Sequence, residues 1–149
     1  MYIIVMTKPE QTTIQAWVRL VRAHQTAFSY VETALKEEGY PPLIWYDVLL
    51  ELERAGEEGL RPFELEHEIM LRQYGVSRLV ERIEKKGYLK RKTCEDDGRG
   101  MRLTITSAGK KLRLRMWSVY GSAIEKSIGS KLTSRQQENL SELLAKIIT

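Results

Sequence analysis

Cysteine is almost missing from this chain, with Cys94 alone among 149 residues. One thiol excludes an internal disulfide framework and suits a reducing compartment, so a cytoplasmic setting is expected. Histidine is nearly as scarce, at two residues. That leaves no clustered spacing of the kind a zinc site needs and few candidates for acid–base catalysis. Neither a glycine-rich phosphate loop nor a Ser-His-Asp set is recognisable, so no enzyme activity, metal or cofactor is expected. Long apolar runs are lacking too. The opening "MYIIVM" is far shorter than the roughly 20 residues a membrane span needs, and it has no basic flank of a signal peptide. Residues 1–5 read as a weak extra strand or an upstream start, without an assigned function, and no membrane partner is expected. Internal repeats and Ser/Gly-rich linkers are absent.

What is present describes one globular domain over residues 1–149. Hydrophobic residues make up 42% and charged residues 30%, enough for a real core. The net charge of +4 is modest, but its distribution is uneven. Residues 51–68 hold seven acids and two bases, whereas residues 70–92 hold eight bases and two acids. A cation-rich segment of this kind permits a nucleic-acid partner.

The periodicity is mainly helical. Thr7-Lys8-Pro9-Glu10 reads as a helix start, with Thr7 as N-cap, Pro9 in the first turn and Glu10 completing a box. From there Ile14, Val21, Phe28 and Leu35 recur every seven residues, with Trp17, His24 and Val31 between them. This is a heptad seam on a helix of roughly 42 Å that ends near Gly39. So small a domain is not expected to bury the whole seam, and part of it is expected to meet a second copy. Pro41-Pro42 precedes a second helix carrying Trp45, Val48, Leu49 and Leu52. Gly59-Leu60-Arg61 suggests a very short strand, and Pro62 opens a short helix with Leu65 and Ile69 one turn apart. After a turn at Met70 to Arg72 comes a helix with Val76, Leu79, Val80 and Ile83 inward, closed by Lys85-Lys86-Gly87. Strands at about Leu89–Thr93 and Met101–Ile105 flank a charged hairpin. Thr106 caps a fifth helix carrying Leu112, Met116, Val119, Ala123 and Ile128. Leu132-Thr133 begins a last helix, with Gln136 as box partner and Leu140, Leu143, Leu144, Ile147 and Ile148 on one face.

Helix, short turn, helix and charged hairpin together describe a winged helix-turn-helix. With the apolar set turned inward at 100° per residue, Tyr74, Ser77, Arg78, Glu81 and Lys85 point outward. A recognition helix enters the major groove by its N-terminal part, so Arg72, Gln73, Tyr74, Ser77 and Arg78 are placed to touch bases or phosphates, with Arg82 further along. Gln73 can read adenine and Arg78 guanine through paired hydrogen bonds. At the hairpin tip Gly98 and Gly100 permit the turn and leave Arg99 projecting.

Two stretches, "VSRLVERIEKKGYLKR" (76–91) and "DGRG…LTIT..G" (97–109), resemble the DNA-binding core of the multiple-antibiotic-resistance-regulator (MarR) family. The resemblance covers nearly the whole chain. It implies a mainly α fold with a small β-wing: a winged helix-turn-helix lobe over 42–106, and long terminal helices over 7–38 and 107–149 that dimerise. It further implies a DNA-binding repressor, homodimeric on a pseudo-palindromic operator and released by a small, aromatic effector. The family's wing signature falls on Asp97 and Arg99, the aspartate arranging the wing and the arginine reaching the minor groove, where narrow A·T-rich stretches attract it. Trp17, His24, Phe28 and Trp45 are the candidate effector pocket, although core or interface packing explains them equally. The chain departs from the family pattern at Glu66, where alanine is common, and at Arg72 and Gly75, where serine or threonine is usual. A glycine inside the recognition helix is expected to cost about 1 kcal/mol relative to alanine. Cys94, beside the wing, reads as a buried or incidental thiol. The alternative is a winged-helix scaffold that binds proteins and not specific DNA.

Overall fold

The computed structural model describes residues 7–71, 75–93 and 100–149. Helix α1 spans Gln11–Glu37, α2 Leu43–Ala55, α3 Pro62–Glu68 and α4 Val76–Lys85. Strands β1 (Leu89–Thr93) and β2 (Met101–Ile105) follow, then α5 (Ser107–Ile124), a π-helical turn (Glu125–Gly129) and α6 (Ser134–Ile148).

The start of α1 differs from the sequence expectation. Glu10, not Thr7, is the N-cap, extended at φ −69°, and its carbonyl accepts from the Ile14 N–H at 3.1 Å. Pro9 explains the shift, because a proline biases the residue before it away from helical angles and so holds Thr7-Lys8 outside the helix. The far end closes as the sequence indicates: the Tyr40 N–H donates to Leu35 O and the Gly39 N–H to Lys36 O, both at 3.0 Å. At α5 the helical hydrogen bonding widens, and the Ser130 N–H reaches Glu125 O at 2.8 Å. Ile128 therefore sits in a π turn and not in the α-helix proper.

One core holds the central lobe. Val48, Leu49 and Leu52 of α2 are fully buried with Leu65, Ile83 and Leu103, while Leu112 and Met116 bring α5 onto it. Val31 and Leu35 anchor only the C-terminal part of α1. The strands pair antiparallel with Leu89 opposite Ile105 and Thr93 opposite Met101. The short strand expected at Gly59-Leu60-Arg61 is a single bridge from Leu60 to Leu103. Helix α6 carries the expected box, Gln136 N–H to Thr133 Oγ1 and Thr133 N–H to Gln136 Oε1, yet buries none of its residues. Among the described residues no helix is long and apolar enough to cross a membrane.

Candidate nucleic-acid interface

Helix α4 is sharply two-faced. Val76, Leu79, Val80 and Ile83 are buried, and Ser77, Arg78, Glu81, Arg82 and Lys85 are exposed on the other side. A 3.6-residue period lets one ten-residue helix pay into the core with four side chains while presenting a basic polar face. Arg72, Gln73, Tyr74, Cys94, Asp97 and Arg99 lie outside the described residues.

Gly75 corrects a sequence expectation. It is not inside the helix but at its N-cap, at φ 81°, and its carbonyl accepts from the Arg78 and Leu79 N–H groups. A left-handed backbone is open to glycine without strain, so serine or threonine would be disfavoured here, and the helix-interior cost does not apply. The other end closes in two bonds: Tyr88 N–H to Ile83 O at 3.2 Å and Gly87 N–H to Glu84 O at 2.8 Å. This is the paired Schellman arrangement that satisfies the last carbonyls.

Two ties outside α4 fix where it points. The buried Asp47 of α2 accepts from the Leu71 N–H at 2.8 Å, pinning the turn that leads into α4. At the opposite end Thr106 Oγ1 donates to Gly87 O at 2.6 Å and accepts from the Gly109 N–H at 3.0 Å. One hydroxyl thus caps α5 and holds the end of the recognition helix. Gly109 is needed for that approach, since a Cβ there would lie 2.1 Å from Tyr88 O. Asp47 and Thr106 were not identified as site residues from sequence. A lone acid inside "LIWYDVLL" was the visible signal, because a buried carboxylate requires a donor.

Helix α5 is also clamped to α2. Arg113 pairs with Glu53 and lies over the Tyr46 ring, 5.9 Å from its centre. Burial alone would lower the Arg113 pKa, but hydrogen bonds to Glu53 and Tyr46 outweigh it and hold it above the ordinary value. Tyr46 packs with Trp117 and Tyr120. Burial raises the Tyr120 phenol, with Tyr46 and Asp47 adding to the shift.

The wing strand continues the basic surface through exposed Lys90, Arg91 and Lys92. Their charges are not equivalent. Arg91 Nε bonds Glu84 Oε1 at 3.2 Å, whereas among the described residues Lys92 Nζ reaches the Glu57 carbonyl at 3.5 Å.

A groove of about 590 Å³ lies beside the pinned turn, lined by His24, Phe28 and Glu32 of α1, Pro42 and Ile44 at the start of α2, and Met70 and Leu71 of the turn. It brings together two of the four expected pocket residues. Trp17 is 65% exposed and does not line it. Trp45 packs edge-on against Tyr88, ring centres 6.3 Å apart, and does not line it either. Helical spacing along α1 separates Trp17 from the lining pair: Phe28 lies one turn from His24, whereas Trp17 stands two turns away toward the open end. Glu32, one further turn along, was missed. Among the described residues no group of three or more His, Cys, Asp or Glu is placed to hold a metal.

Comparison with known proteins bears on this geometry. Residues 38–100 match the sequence model described as the MarR family. No curated protein matches the chain. Among solved structures it is similar to the MarR family transcriptional regulator Sco3205 of Streptomyces coelicolor in complex with DNA, at 23% identity and TM-score 0.85 over 95% of this chain and 92% of that one. A mutant MarR of E. coli complexed with operator DNA gives 19% identity and TM-score 0.78 over 95% of this chain and 100% of that one. An organohalide-sensing transcriptional regulator in its 2,4-dichlorophenol-bound form gives 18% and 0.77 over 99% and 88%. The family consists of transcriptional regulators and not enzymes. The family match thus covers the segment of the chain from the end of α1 to residue 100, and the likeness of fold to solved MarR family regulators extends over both terminal helices.

Proposed function

We propose that the chain is a MarR family transcription regulator, a cytoplasmic homodimeric repressor reading a pseudo-palindromic operator with paired α4 helices and released by a small molecule bound in the groove. The observation that carries the reading is the exposed Ser77–Arg78–Arg82 face of α4, held at both ends by Asp47 and Thr106. Held in this way, the face meets the major groove in one orientation, with Arg78 nearest its N-terminal, base-reading part. Arg72, Gln73 and Tyr74, adjacent to α4 in sequence, are proposed as further DNA contacts, and Arg99 with Asp97 as a minor-groove contact.

Dimerisation is supported by the open apolar faces of Ile14, Trp17 and Val18 on α1 and of Leu140, Leu143 and Ile147 on α6. The groove supports effector control because Leu71 serves two sites: its side chain lines the groove while its N–H is held by Asp47. A ligand that displaces Leu71 favours a dimer whose α4 helices no longer match the DNA, and only unequal affinity for the two shapes produces release. A relative bound to 2,4-dichlorophenol favours a small aromatic ligand.

Selection of bound duplexes from a random pool, followed by footprinting, tests the core of this reading. The expected result is a palindrome with half-sites about one helical turn apart and protection by a dimer. Equal, weak retention of every sequence would instead make the chain a protein-binding scaffold.

A further inference from the structure

The groove has a polarity that its apolar lining conceals. Glu32 is its one carboxylate among the described residues, and Oε1 accepts from the Leu43 N–H at 2.8 Å. Leu43 is the first residue of α2, whose N-cap, Pro42, offers no side-chain cap of its own. Glu32 therefore occupies the positive pole of α2 from the neighbouring helix. The place where a helix N-terminus would otherwise attract an anion is already taken by one. Among the described residues the lining contains no lysine or arginine to offset it. What remains is a ring surface, His24 against Phe28 with centres 5.8 Å apart, and an apolar wall of Ile44, Met70 and Leu71. Met70, 65% exposed, is an adaptable side chain free to fold over an occupant.

Resting on the effector reading above, we propose that the groove selects uncharged hydroxyaryl ligands, whose O–H donates to Glu32, and refuses aromatic carboxylates. A phenol places its ring against Phe28 and its hydroxyl hydrogen toward the carboxylate, giving a charge-assisted bond. A carboxylate of the same size has no proton to offer and meets a like charge at close range in a partly desolvated site.

The test is a ligand-observed NMR titration of the full chain with para-cresol and with benzoate, on wild type, Glu32→Gln and Phe28→Ala. Glutamine keeps an oxygen for the Leu43 N–H, so the fold is retained while the charge is removed. The expected result is that wild type binds para-cresol at least about tenfold more tightly than benzoate, that Glu32→Gln closes most of this gap by improving benzoate, and that Phe28→Ala weakens para-cresol. Benzoate binding to wild type as tightly as para-cresol, with dependence on Phe28, overturns the selectivity and leaves the groove as the effector site. A gap that persists in Glu32→Gln overturns it as well. Binding of neither ligand in a Phe28-dependent way overturns both the selectivity and the effector reading of the groove.

Discussion

The central lobe and the terminal helices use the same kind of residue to opposite effect. In α2 the apolar positions Val48, Leu49 and Leu52 are fully buried, and the helix is covered by α3, α5 and β2. In α6 the leucines and isoleucines repeat as regularly, yet Leu143 is 58% and Ile147 66% exposed. Helix α6 is instead well formed locally, with its reciprocal Thr133–Gln136 box. Capping and propensity build a helix, but a helix of 15 residues is marginal in water without a packed face. The contrast separates what one chain stabilises alone from what a second copy is proposed to complete.

The sharpest way to break this contrast is to place equal lesions on its two sides. Leu49→Ala in the lobe should cost about 2–5 kcal/mol and lower the melting temperature whatever the protein concentration. Replacing Leu140, Leu143 and Ile147 by serine should instead shift sedimentation from dimer to monomer and abolish operator binding. Each of these side chains is worth about 1.5–3 kcal/mol once covered by a partner. If the triple variant still sediments as a dimer, α6 is not the interface. If Leu49→Ala melts like wild type, the lobe is not the closed unit described.

How much the sequence revealed follows the same division. Signals confined to one segment were legible: both wing strands, the left-handed Gly87 after α4, and the Thr106 and Thr133 caps each depend on residues a few positions apart. Features made by distant residues were not. Gly75 seemed a defect in a helix because nothing in its neighbourhood of the sequence marks it as the left-handed N-cap of α4. Asp47 and Glu32 acquired their roles only when Leu71 and Leu43, 24 and 11 positions away, came to them. The expected aromatic pocket divided in the same way, with His24 and Phe28 lining the groove and Trp17 and Trp45 outside it. Trp45 matched by residue type, but the fold turns it to Tyr88.

Those long-range ties give the next, smaller effects. Asp47→Ala leaves the Leu71 N–H without its acceptor and should cost about 1–3 kcal/mol, with α4 less firmly aimed. Asp47→Asn retains an acceptor and should recover most of the DNA affinity. Equal losses in both variants would mean that charge, not the hydrogen bond, matters there. Arg78→Ala should cost about 1–3 kcal/mol on the operator and less on random duplex, by fluorescence anisotropy. Equal losses on the two duplexes would restrict Arg78 to a phosphate contact.

The smallest effect concerns neighbours on the wing strand, where Arg91 is engaged by Glu84. Both partners are partly exposed, so their pairing contributes only about 0.2–1 kcal/mol to stability. Its consequence for DNA is more easily read, because a guanidinium held by a carboxylate is less available to a phosphate. Glu84→Gln should therefore leave the melting temperature nearly unchanged while steepening the salt dependence of operator binding, by about 0.9 in log–log slope per subunit if Arg91 then neutralises one phosphate. Arg91→Ala in the wild-type background should change that slope much less than Lys90→Ala, since Arg91 starts with its charge engaged. The double variant Glu84→Gln/Arg91→Ala separates the two contributions: it should lose the slope gained by Glu84→Gln alone. A slope that stays steep in the double variant would assign the effect to removal of a repulsive acid from the DNA-facing surface, and Arg91 would then be a purely structural partner of α4.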